Sequence, residues 1–159
     1  MQITKKSSLI FILFVIVILY STGAGMVESF VNYPLWHIVG PSDVWIDYHK
    51  ALGPKIILTL AIPSLLLSLV LNIWLFFNHP DNLPKWTAWA CLALLLIAVI
   101  SSATIQIPIQ AQLDSGYSKA LVDKLIVSSF WLRDLMGLIR VVVVGYMLYR
   151  VIDQRYVGP

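Results

Sequence analysis

The chain has 159 residues, 59% of them hydrophobic and only 12% charged, with a net charge of +3. A soluble domain carries about 25% charged residues, so the composition describes one small integral membrane domain over 1–159 and excludes a separate soluble domain. The basic residues are scattered, which gives no nucleic-acid surface, and Cys91 is the single cysteine, so no intramolecular disulfide can form.

Four stretches reach the ~20 helical residues needed to cross a hydrocarbon core of about 30 Å. Their approximate ranges, 8–30, 54–77, 86–106 and 126–151, predict an all-α integral membrane four-helix bundle. The first stretch also carries the parts of a cleavable signal peptide: Lys5-Lys6, an apolar run from Leu9 to Leu19, then Ser21-Thr22-Gly23-Ala24-Gly25. Apolar character returns at Met26-Val27 and Phe30-Val31, which favours a retained span.

Residues 31–53 form the first of two long polar and aromatic connections on the side opposite the termini. Loops of that length in a small domain are usually functional. Ser42 predicts the start of a short interfacial helix over 43–52, with Gly53-Pro54 stopping it. Helical spacing puts Trp45, Tyr48, His49 and Leu52 on one face and Asp43, Asp47 and Lys50 on the other. This helix is expected to lie on the membrane surface and roof the bundle.

The second span carries Ser68 and Asn72, which read as interhelical hydrogen bonders. It meets the third span through His79-Pro80-Asp81-Asn82-Leu83-Pro84, where the prolines forbid a continuous helix. The third span ends in Gln106-Ile107-Pro108-Ile109-Gln110-Ala111-Gln112. Pro108 must break or kink it, and the amides of Gln106 and Gln110 either satisfy the freed backbone or line a polar pocket. Residues 107–125 form the second long connection. A fourth helix starting at Ser118 would reach ~50 Å, longer than the core is thick, so its first turns should project and support the roof.

Tryptophan and tyrosine gather near the span ends. Tyr33, Trp36, Trp45, Tyr48, Tyr117 and Trp131 mark one interface, and Trp74, Trp86, Trp89, Tyr146, Tyr149 and Tyr156 the other; Tyr20 alone breaks the pattern. Lys5, Lys6, Lys85, Arg150 and Arg155 share the termini's side, against Lys50, Lys55, Lys119 and Lys124 opposite, with Arg133 at that boundary. The small excess favours cytoplasmic termini in the cell (inner) membrane.

Arg140 stands in the apolar run from Leu135 to Tyr149. A permanent charge near the bilayer centre costs at least ~2.5–3.5 kcal/mol on insertion scales, so Arg140 should face the bundle interior. Its depth is about that of Ser68. Arg133 lies two turns away on the same stripe, close in depth to Glu28, and Glu28–Arg133 is the expected ion pair, with Asp134 pointing elsewhere. Arg140 then has no acid at its level. Hydroxyls, carbonyls, water or an anionic or quinone-like ligand must satisfy it, or it serves as a structural arginine between helices.

His37 and His49 share the far side with Glu28, Asp43 and Asp47, but no His-x-x-x-His or Glu-x-x-His pair exists, so no metal set is assigned. Neither histidine lies clearly inside a span, as a haem clamp would require. Both read as interfacial hydrogen-bonding histidines, with a metal-ligating or acid–base role for His49 or His37 as the alternative. Candidate pocket residues are therefore Glu28, Trp36, His37, Trp45, Gln106, Gln110, Arg133 and Arg140.

Gly23-Ala24-Gly25 with Tyr33-Pro34, Pro108-Ile109-Gln110, and Trp131-x-Arg133 resemble the four-span membrane protein family that includes fungal anthrone oxygenases. The family pattern introduces its fourth span with an aromatic residue, a His and an Arg; here the position three before Arg133 is Phe130. The resemblance implies a four-helix bundle with a pocket at its loop-rich end and, more remotely, oxygenation of a flat aromatic substrate. Two readings follow. One is an oxidoreductase-like enzyme acting on a hydrophobic substrate, with Arg133 and Arg140 binding developing negative charge and His49 or Asp47 as acid–base group. The other is a non-enzymatic module that binds a lipid or quinone or assists a membrane complex. No motif fixes a cofactor, and an oligomer is compatible with either; a transporter would need one.

Overall fold

The computed structural model describes residues 5–78, 80 and 83–156, with side chains over 9–78, 80 and 83–153. The turn residues His79, Asp81 and Asn82 lie outside the described residues, and Lys5, Lys6, Arg155 and Tyr156 lie outside those with described side chains.

Four long helices make the fold: α1 (Leu9–Val39), α2 (Trp45–Phe77), α3 (Trp86–Leu113) and α4 (Lys119–Asp153). The helical run of α1 begins at Lys5 and that of α4 continues to Tyr156. All four are long and apolar enough to cross a membrane, and the protein is an integral membrane protein. Packing joins α1 to α2, α2 to α3, α3 to α4 and α4 back to α1, a closed up-down-up-down ring. An even number of crossings puts both chain ends at one end of the bundle, here called the near end. The turns 40–44 and 114–118 lie at the far end.

The helices are longer than their apolar cores suggest. The expected long connections, 31–53 and 107–125, are mostly helix, and residues 43–52 are not a separate surface helix: Trp45–Ile56 is the far end of α2, with Pro54 inside it. The reason is how the prolines are absorbed. A helical proline lacks the N–H that the carbonyl four residues back needs, and its ring crowds that carbonyl. Each of the first three helices widens into a π-helical turn just before a proline: Glu28–Asn32 before Pro34, Ile57–Ala61 before Pro63, Ser102–Gln106 before Pro108. The looser i→i+5 pattern re-routes the bonds and the helix runs on. A fourth such turn, Phe130–Asp134, interrupts α4 without a proline. At 35 residues α4 spans about 52 Å, longer than a bilayer core is thick.

Two separate cores hold the ring together. At the near end Phe11, Phe14, Ile18, Leu71, Leu75, Cys91, Val144 and Met147 interlock. At the far end Tyr33, Trp36, Trp45, Ile109, Leu113, Val122 and Leu125 do so. Three aromatics expected in an interfacial belt are thus interior: Tyr33, Trp36 and Trp45 are buried, whereas Trp86, Trp89, Trp131 and Tyr149 remain outside with the apolar surface. The far core is sealed where α1 ends. A Cβ at Gly40 would strike the Tyr117 ring and come within 2.6 Å of the Trp36 carbonyl, so only glycine lets the 114–118 turn close over α1.

Candidate ligand cavity

Between the two cores lies a cavity of about 470 Å³. Most of its wall comes from α2 and α3, and α2 buries no residue between positions 50 and 67. α2 meets α3 mainly through Ile62–Phe77 against Trp86–Ser101; farther along, the cavity separates them. Leu52, Ile56, Ile57, Leu60, Leu65 and Val99 give it an apolar lining. Leu58 on the same stretch of α2 lies outside the lining and is 67% exposed.

Arg140 forms the near end of this cavity. Its side chain faces inward, as the cost of charge in hydrocarbon requires, and the residue is only 5% exposed. Its Nε and Nη2 have no hydrogen-bond acceptor, and its α3 neighbour is the Cys91 thiol rather than an acid. Ser68 and Gln106 share the wall at 1% and 2% exposure, and both amide atoms of Gln106 are also without partners. Buried polar groups are nearly always paired, so unpaired polar atoms of Arg140 and Gln106 on one cavity wall make it the candidate site.

Arg133 has the opposite character. Its Nε donates to Asp134 Oδ1 at 3.2 Å, Nη1 to the Tyr33 hydroxyl at 3.3 Å, and Nη2 to the Gly25 carbonyl and the Ser29 hydroxyl. The Tyr33 hydroxyl also accepts from Gln110 Nε2 at 3.2 Å. The expected Glu28–Arg133 pair is replaced: Glu28 accepts from Asn32 at 2.8 Å, and Asp134, its side chain 1% exposed, is the carboxylate that meets Arg133. Regular helix spacing would turn Asp134 away, but the π-helical turn shifts the register at these residues and lets successive side chains both face inward.

At the far mouth His49 is buried against Trp36 and Trp45, and its Nδ1 pairs with Asp114 Oδ1 at 2.7 Å. With Nδ1 donating to the carboxylate, Nε2 is the nitrogen left for a ligand. The cavity wall thus unites Glu28, Trp36, His49, Gln106, Gln110, Arg133 and Arg140.

Three candidates fall elsewhere. Asp47 is exposed on the outer face of α2, because the turn that buries His49 points it away. His37 is tied to the Tyr117 hydroxyl at 2.9 Å and Asp123 at 3.1 Å, outside the cavity. Trp45 packs behind the wall, its Nε1 donating to the Leu113 carbonyl at 3.0 Å. Asn72 bridges to the Ala88 carbonyl at 3.2 Å, an interhelical bond as expected. Ser29, Tyr33 and Asp114 were not predicted as partners; the Tyr33-Pro34 pair, just past an acidic residue, was the available signal for the first two. Among the described residues no three His, Cys, Asp or Glu side chains gather as a metal site.

A membrane four-helix bundle with an internal, part-polar cavity is the class this fold and site define. No family model, curated protein or solved structure matches the chain.

Proposed function

We propose that the protein binds a lipid-soluble small molecule in the cavity between α2 and α3, with a hydrogen-bond acceptor on that molecule meeting Arg140. The observation that carries this reading is the pair of buried guanidinium nitrogens, Nε and Nη2, with no acceptor on the cavity wall. A charged donor left unpaired away from water costs several kcal/mol, and a ligand acceptor offsets that cost. The apolar lining and the exposed stretch of α2 support entry from the lipid rather than from water. The setting we propose is the cell (inner) membrane with both termini in the cytoplasm, following the small excess of basic residues on that side.

The test is mass spectrometry of small molecules retained after gentle detergent purification. A co-purifying lipophilic compound that is absent from the Arg140→Met protein is the expected result. Wild-type preparations that are reproducibly empty, and that no lipophilic compound stabilises, would overturn the proposal.

One observation favours a second, enzymatic reading: His49 is held by Asp114 on the same wall. A carboxylate-oriented imidazole is the arrangement a general base needs, and it supports proton abstraction from a bound hydrophobic substrate, as in the oxidoreductase-like activity implied by the family resemblance. Loss of turnover, with ligand retention unchanged, in His49→Gln would favour the enzyme over the binding module.

A further inference from the structure

The cavity's shape and its charge count narrow the class of ligand; the inference rests on the binding reading above. The wall runs from Ser21 to Trp36 on α1 and from Leu95 to Gln110 on α3, fifteen steps along each helix. At 1.5 Å per step that is a length of ~22 Å. A cavity of that length with an apolar lining suits a ligand that carries an extended alkyl or isoprenyl chain.

One of the charges, Arg140, has no counter-charge in contact among the described residues. Arg133 and Asp134 are in contact and cancel. Glu28 is held by Asn32 near the far mouth. Thr22 of α1 faces Gly137 of α4, which puts Glu28, on antiparallel α1, some nine residues or roughly 14 Å from the level of Arg140. Arg140 therefore has no acid of its own. A neutral carbonyl would satisfy its hydrogen bonds and leave its charge, whereas a monoanion satisfies both. The buried hydroxyl of Ser68, close to the level of Arg140, supplies a further donor on the same wall.

We propose that the ligand is a single-chain lipid monoanion of the fatty-carboxylate type, its head on Arg140 and its chain along the channel toward Trp36. The head lies at the guanidinium as the carboxylate. The carboxylate pairs with the guanidinium where Arg140 lines the cavity.

The experiment compares palmitate, methyl palmitate and a short-chain benzoquinone for stabilisation and displacement binding, using the full chain in detergent micelles. Palmitate is expected to bind at least tenfold more tightly than its methyl ester, and Arg140→Met is expected to remove that preference. Because a charge variant alters the fold's electrostatics, a second variant, Ala98→Phe, fills the channel and leaves Arg140 in place. It should weaken palmitate at least tenfold. Tight binding of the quinone with no preference for palmitate over its ester sinks the monoanion and leaves the binding reading standing. No saturable binding of any of the three sinks both.

Discussion

Two arginines seven residues apart on α4 occupy opposite electrostatic situations. Arg133 spends every arm of its guanidinium on protein acceptors, and Asp134 depends on it. Removing one partner of a buried pair leaves the other charge uncompensated and costs ~3–5 kcal/mol. Arg133→Ala should destabilise the bundle by that order, measured by reversible unfolding in mixed micelles, and Arg133→Ala with Asp134→Ala should recover part of the loss. Arg140 has no acid to abandon. Replacing it by methionine removes a desolvated charge and is expected to leave the ligand-free protein as stable as before or more so, by up to ~4 kcal/mol, while abolishing ligand retention. A large loss of stability in ligand-free Arg140→Met would make Arg140 a structural tie between helices.

At the scale of the helix, legibility in the sequence followed what periodicity can report. The existence of four spans and the inward-facing Arg140 were readable because both depend on hydrophobicity and axial depth. The partners of Arg133 were not, since a regular period of 3.6 residues places Asp134 on another face and the π-helical turn at Phe130–Asp134 leaves no proline to announce it. The far aromatics were legible only in part: depth put Tyr33, Trp36 and Trp45 near a span end, but depth carries no information on whether a ring faces lipid or the bundle, and all three are buried. Asp114 was invisible as the partner of His49 because their contact joins two helix ends 65 residues apart. Helix contacts also separate the glycines. A Cβ on Gly137 would lie 3.1 Å from Thr22 Cγ2, whereas one on Gly23 meets nothing within 4 Å. Gly137→Val should therefore push α4 off α1 and cost ~1–3 kcal/mol, with Gly23→Val within about 0.5 kcal/mol of wild type in the same unfolding assay.

For the whole molecule, the division into two cores gives the cavity a side. The near core closes the bundle below Arg140, and the unburied stretch of α2 lies on the far side of Ser68, so the cavity extends from Arg140 toward the end of the bundle opposite the termini. The topology is testable because the native thiol is silent: Cys91 is fully buried. Ser42 and Ser115 are exposed in the two far turns, and Asn78 is exposed at the near end of α2. Single cysteines at these positions should fall into two groups toward a membrane-impermeant maleimide on intact cells. Ser42→Cys and Ser115→Cys should label at once, and Asn78→Cys only after permeabilisation, if the termini are cytoplasmic. The reverse grouping would invert the orientation and assign the cavity mouth to the cytoplasmic leaflet. Labelling of Ser42→Cys and Asn78→Cys from the same side would contradict the crossing of α2 itself, and with it the enclosure of Arg140 by four spans.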